Sequence, residues 1–219
     1  RRFIAHWTKI GELRQQWSAL NDTSRVLATT IVNILLEREY LSIDECWDPL
    51  VDSGKFPHLL ERMEAKIWSQ IATHSAELSQ HLDSFGKILV QMRLSLSSLE
   101  DVAYSFHDNL IKIGVGEDNQ PLFLVSPAME LASLAREIVN MHSKELSVKC
   151  AIADDLSRGG EAASSANATN LSGNSNTTRT ALGAYLSAWT LQLYLDDARL
   201  QEIDCIFRTE SVLGADAPP

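Results

Sequence analysis

The sequence predicts an all-α protein of long, heptad-patterned helices that form an antiparallel coiled coil or helical bundle. Three observations lead there. Only 6 prolines and 10 glycines punctuate 219 residues, several of them in two connecting regions, so long stretches run without a turn signal. Apolar residues recur at seven-residue spacing in the first two of those stretches. A hydrophobic fraction of 45% is enough for a sizeable core.

The first stretch, about residues 2–40, carries one column of Phe3, Ile10, Trp17, Ser24 and Ile31. A second column, three residues on, is His6, Leu13, Leu20, Leu27 and Ile34. These are the a and d positions of a heptad, and their phase survives the polar run Asn21-Asp22-Thr23-Ser24. One long helix with Ser24 as a polar layer is therefore expected. A break into two helices, with Asp22 or Ser24 as an N-cap, remains the alternative. Two prolines and Gly54 make residues 41–57 a connector.

The second stretch, about 58–113, has the strongest pattern. Its d column is Ile71, Leu78, Phe85, Met92, Leu99, Phe106 and Ile113, and its a column is Ser75, Leu82, Leu89, Leu96, Ala103 and Leu110. Such a helix extends on the order of 80 Å. A seam of that length must be covered by other long helices, from this chain or from a partner. Leu82, Phe85, Leu89, Met92, Leu96 and Leu99 are the candidate partner-binding seam, and replacing Leu89 and Leu96 by Glu is expected to abolish partner capture. The rival arrangements are a self-contained bundle, in which the chain covers its own seam and binds through outer surfaces such as Trp189 and Tyr194, and a homodimeric coiled coil.

A second connector, 114–127, holds Gly114, Gly116, Pro121 and Pro127. Ser126-Pro127 then opens a third helix, with Ser as N-cap and Pro at the first helical position, running to about 158 and ending at Gly159-Gly160. Its apolar stripe is Leu131, Leu134, Ile138, Met141, Val148, Ile152 and Leu156. The three helices thus make a coiled-coil region over 1–158. Residues 159–178 are small and polar, and a disordered loop is expected because they bury too little surface to offset ordering entropy. A C-terminal segment, 179–213, packs on the same bundle as helices of about 179–195 and 197–210, with Asp196 or Asp197 capping the second.

Charge and motifs bound the function. With 19 basic and 29 acidic residues the chain carries −10 and no basic block, so direct nucleic-acid binding is not expected. No apolar run reaches the length of a membrane span. The opening Arg1-Arg2-Phe3-Ile4 lacks an initiator Met and is already amphipathic, which reads as a trimmed beginning and not a signal peptide. Cys46, Cys150 and Cys205 lie far apart, as expected of reduced, mostly buried thiols in a nuclear or cytosolic protein. His74 and His81 are seven apart, about 10 Å along a helix, too far to share a metal. The acid pairs Asp154-Asp155 and Asp196-Asp197 diverge by roughly 100° on a helix and make no general acid/base dyad. No nucleophile elbow or phosphate-binding loop is found. Catalytic residues, cofactors and metals are accordingly not expected. Ser126-Pro127, Ser69-Gln70 and Ser79-Gln80 match minimal kinase sites, each explained as well by its helix or cap.

One further pattern is carried by the order of particular residues. It comprises His6-Trp7, Trp17 and Leu20-Asn21-Asp22 near the start, then Pro121-Leu122-Phe123. Met141-His142-Ser143-Lys144-Glu145-Leu146, Lys149 and Asp155-Leu156 follow, and after the polar loop Tyr185-Leu186-Ser187-Ala188-Trp189, Tyr194 and Arg199-Leu200. In that order the chain resembles the cyclin-dependent kinase 2-interacting protein family (CINP), over the first helix and most of 121–213. The polar insertion at 159–178 is longer than the family pattern. The resemblance implies a non-enzymatic nuclear adaptor, with the cytoplasm as a second compartment. It implies association with cell-cycle and checkpoint kinases, and with paired AAA+ ATPases and a second small helical subunit. That hetero-oligomer is linked to large-ribosomal-subunit maturation and replisome protein turnover, and the kinase association to the cell cycle and the DNA damage checkpoint.

Overall fold

The computed structural model describes residues 1–41, 47, 58–112, 127–159 and 175–215. Its elements are α1 (Arg2–Leu41), α2 (Leu59–Lys112), α3 (Ala128–Ser157), α4 (Ser175–Leu191) and α5 (Asp197–Ala215), and no strand occurs among the described residues. The protein is all-α.

α1 is one unbroken helix through Asn21–Ser24. Ser and Thr disfavour helix interiors because their hydroxyls compete for backbone groups, but here they bond within the helix. Thr23 Oγ1 donates to the Leu20 carbonyl at 2.9 Å and Ser24 Oγ to that of Asn21 at 3.1 Å. Asn21 and Ser24 are both buried, so the polar layer read from the heptad is present and wider by one residue. Both α2 columns also face inward: Ile71, Leu78, Phe85, Met92, Leu99 and Ala103 are at most 1% exposed.

The helix ends follow capping chemistry. α3 starts at Ala128, with Pro127 just outside it and the Pro127 carbonyl accepting from Leu131 N at 3.3 Å. Proline is thus one position earlier than expected, and Ser126 lies outside the described residues. Gly159, at φ +78°, closes α3, its N–H bonding the Leu156 carbonyl at 3.1 Å. α4 begins at 175, four residues before the expected start; the rest of the expected polar loop, 160–174, lies outside the described residues. α4 stops at Leu191, short of 195, and Gln192 follows in the left-handed region at φ 47°. Asp196 caps α5, its Oδ1 accepting from Arg199 N at 2.9 Å.

The contacts divide the chain into two units, neither contiguous in sequence. The first comprises Arg1–Ala19, Phe85–Leu146 and Leu193–Pro219; the second comprises Leu20–Ser84 and Ser147–Gln192. The division expected from the sequence ran end to end instead, into 1–158 and 179–213. Heptads mark which face is buried but not which partner covers it.

In the first unit α1 meets α5 through the Trp7–Phe207 stack, centroids 4.2 Å apart, and through Arg14–Asp204 at 2.6 Å. α2 meets α3 through Glu100–Arg136 and Arg93–Ser143. In each pairing the residue numbers run in opposite directions, so the helices are antiparallel. Around them pack Phe3, Leu13, Leu89, Met92, Leu131 and Ile138. In the second unit Arg38 lies 4.4 Å over the Trp68 ring, joining α1 to α2. α3 and α4 run antiparallel there, Lys149 meeting Trp189 and Asp155 meeting Tyr185. Ile31, Leu35, Ile71, Leu78, Ile152 and Leu182 form that core.

Candidate functional site

The structure removes most of the expected partner-binding seam from the surface. Phe85, Met92 and Leu99 are fully buried, Leu89 is 5% and Leu96 9% exposed, and Leu82 is half-buried. The covering comes from this chain: α1, α3 and α5 lie against that face of α2 in the first unit. Glu at Leu89 or Leu96 therefore buries an unpaired charge and attacks the fold before it can report on a partner. Trp189, the first of the two expected surface aromatics, is also buried, at 0%. Tyr194, the second, is 47% exposed.

The unanticipated feature is a polar seam on α3. Its inward positions run Leu131, Ala135, Ile138, His142, Glu145, Lys149, Ile152 and Leu156, alternating steps of three and four. Three consecutive members are ionisable, and all three are buried: His142 at 2%, Glu145 and Lys149 at 0%. The stripe expected from the sequence passed instead through Met141 and Val148, which are only half-buried. The usable signal was the unbroken spacing itself, together with the polar gap at Asn21–Ser24 in α1.

In the second unit Lys149 Nζ donates to Asn21 Oδ1 at 2.8 Å and to the Trp189 carbonyl at 3.1 Å. It also lies 4.6 Å from the Trp189 ring centroid. The Trp189 carbonyl belongs to the last turn of α4, where carbonyls lack helical donors and the helix dipole is negative. A buried ammonium thus satisfies that helix end, and the indole face adds a cation–π contact. Trp189 Nε1 donates to Ser24 Oγ at 3.3 Å, tying α4 to α1. Lower on α4, Tyr185 hydrogen-bonds the buried Asp155 carboxyl, and that bond, with burial, pushes the phenol up to about 12.

In the first unit His142 packs edge-on to Trp17, centroids 5.0 Å apart, and Trp17 leans on Phe85 at 4.5 Å. Its Nδ1 sits 2.8 Å from the Ile138 carbonyl, which assigns the proton there and makes the ring a donor. Burial depresses its pKa to about 4, against the Ile138 bond, with Arg14 adding to the depression. The Glu145 carboxylate accepts from Tyr194 N at 3.2 Å in the turn before α5. On the solvent side Arg199 forks Glu137 with two bonds of 2.9 Å, which holds that carboxyl below the usual range.

His74 and His81 are half-buried on α2, His74 beside Glu77. Of the acid pair, Asp154 faces solvent with Arg158 while Asp155 is buried, the divergence a helix imposes. Cys150 and Cys205 are free and exposed, not buried, because each lies on the outer side of its helix; Cys46 lies outside the described residues. No group of three His, Cys, Asp or Glu side chains that could hold a metal occurs among the described residues. None of the described helices is long and apolar enough to cross a membrane. No protein-family model matches the chain, and no curated protein matches it in sequence.

Proposed function

We propose that this chain is a non-enzymatic adaptor of the CINP type. In that role it binds cell-cycle and checkpoint kinases and an AAA+ ATPase assembly with a second helical subunit. Genome maintenance and large-ribosomal-subunit maturation are the processes it serves, in the nucleus and secondarily the cytoplasm. The observation that carries the reading is where the residues of the resemblance sit. Of these, Trp17, Asn21, His142, Glu145, Lys149, Asp155 and Trp189 are buried, although they are scattered from the first helix to the fourth, while Asp22, Lys144, Ser187 and Tyr194 are exposed. Three of the buried polar ones bond outside their own helix, Lys149 to Asn21 and Trp189, Glu145 to Tyr194 and Asp155 to Tyr185, while His142 bonds Ile138 within α3. A pattern held by mutually bonded buried groups specifies a helix arrangement, as buried polar groups do when they set register. Such a pattern supports a scaffold whose partners meet its outside.

Burial of the α2 seam favours the self-contained bundle as the form that does the binding. Partners then dock on exposed side chains. The test is affinity purification of the tagged full chain from cells with quantitative mass spectrometry. Recovery of AAA+ ATPases with a small helical protein, or of cell-cycle kinases, is the expected result. A chain that recovers neither class refutes the assignment.

A further inference from the structure

Among the described residues eight large apolar side chains are exposed, and three of them, Leu191, Leu193 and Tyr194, fall within four positions. Scattered exposed apolar residues are ordinary, whereas concentration needs a reason. Leu193 and Tyr194, at 63% and 47% exposure, stand on the turn that enters α5. That turn is held from beneath. Tyr194 N donates to the carboxylate of Glu145, a residue with no exposed surface. Leu195, the next residue, packs into the first unit's core, and Asp196 caps α5. At 3.2 Å this is an ordinary hydrogen bond, but its acceptor is a side chain that α3 holds fully buried. Here it is spent on the backbone of a turn whose two apolar side chains face water. A fixed turn loses little freedom on docking.

The charges beside this turn indicate what it docks on. Asp196 and Asp197 follow it and are both exposed. The next cation, Arg199, is engaged by Glu137 and Glu202. The geometry points to Leu193 and Tyr194 as a preformed docking knob for a folded protein that offers an apolar pocket with a basic rim. Two adjacent anchors, one aliphatic and one aromatic, suit a pocket; the aspartates suit Lys or Arg at its edge. This inference rests on the adaptor reading and names the surface and the partner chemistry it uses.

The test compares the tagged full chain with Leu193→Glu and Tyr194→Glu, and with Val90→Glu at an exposed position of α2 as control. The protein retained by the wild-type chain is identified and quantified by mass spectrometry, and circular dichroism follows unfolding of each variant. Retention is expected to fall at least about tenfold in both turn variants, at unchanged unfolding midpoint, and to persist in the control. It is also expected to weaken several-fold between about 0.05 and 0.5 M salt, as contacts of aspartates with a basic rim require. A photocross-linker at position 193 is expected to label the retained protein beside a Lys or Arg. Unchanged retention in both turn variants, salt-insensitive retention or a cross-link into an acidic surface overturns the knob and leaves the adaptor reading standing. A wild-type chain that retains nothing overturns both. A dimer of this chain that Leu193→Glu converts to monomer makes a second copy the occupant, and so overturns the proposal as well.

Discussion

Acidification is expected to destabilise the first unit in part through the buried His142 side chain. His142 is 2% exposed, donates to the Ile138 carbonyl, and presents its ring to Trp17. Its folded-state pKa of about 4 lies below the 6.5 of an unfolded histidine. Between those values the unfolded chain binds a proton that the folded chain refuses. Stability from this group is therefore complete above pH 6.5 and is lost as pH falls towards 4. At about 1.36 kcal/mol per pH unit, the loss accumulates to about 3 kcal/mol. The chain also carries 29 acidic residues, whose own titration changes stability over part of the same range. The informative quantity is thus the difference between wild type and His142→Asn, which keeps a donor for the carbonyl and does not titrate. Urea unfolding followed by circular dichroism at pH 7.5, 6.5, 5.5 and 4.5 measures it. The wild-type advantage should be constant above pH 6.5 and shrink by about 1.4 kcal/mol per unit below it. Parallel stability curves for the two proteins down to pH 4.5 would refute the assignment of a buried neutral imidazole.

Four further outcomes follow from the same contacts. Lys149→Met removes the donor from Asn21 Oδ1 and from the Trp189 carbonyl, and should cost about 3 kcal/mol in urea unfolding, at ~1–3 per stranded acceptor. Adding Asn21→Leu should cost less than the sum of the two single changes, because the acceptor and its missing donor leave together. Gly159→Ala places a Cβ 2.7 Å from the Trp68 ring at φ +78°; a thermal melt should show a loss of about 1–2 kcal/mol. Tyr185→Phe should cost about 1 kcal/mol at pH 7 and, because the folded phenol is held near 12, should abolish a loss of stability that wild type shows as pH rises from 10 to 12. Leu89→Glu should unfold the first unit by circular dichroism, whereas Leu94→Glu, at a 64% exposed position one residue beyond the next turn, should change stability by no more than about 0.5 kcal/mol.

The sequence by itself determined the helices and their buried faces. Period 3.5 requires only that apolar residues return to one side, so Phe3 to Ile31 in α1 and Ile71 to Leu99 in α2 could be read without knowing what they touch. It favoured a whole α1, because the heptad phase agrees on either side of Asn21–Ser24, but left a break there open until the structure showed one helix. Helix ends were less legible. α4 starts four residues earlier than expected and stops at Leu191, before Gln192 in the left-handed region, and helix ends fray over a residue or two.

Tertiary structure decided which helix covers which. A heptad is satisfied equally by a partner or by the same chain, so the α2 seam from Phe85 to Leu99 read as a binding edge until α1, α3 and α5 were seen against it. It decided the meaning of His142, Glu145 and Lys149, since an ionisable residue at a seam position reads as exposed unless acceptors and donors meet it from distant helices. For Lys149 those are Asn21, 128 residues away, and Trp189. It also left Tyr194 exposed while burying Trp189 five residues before it. Both are aromatic and both lie near a helix end; the turn at Gln192, and the carboxylate that holds it, put one inside and the other out.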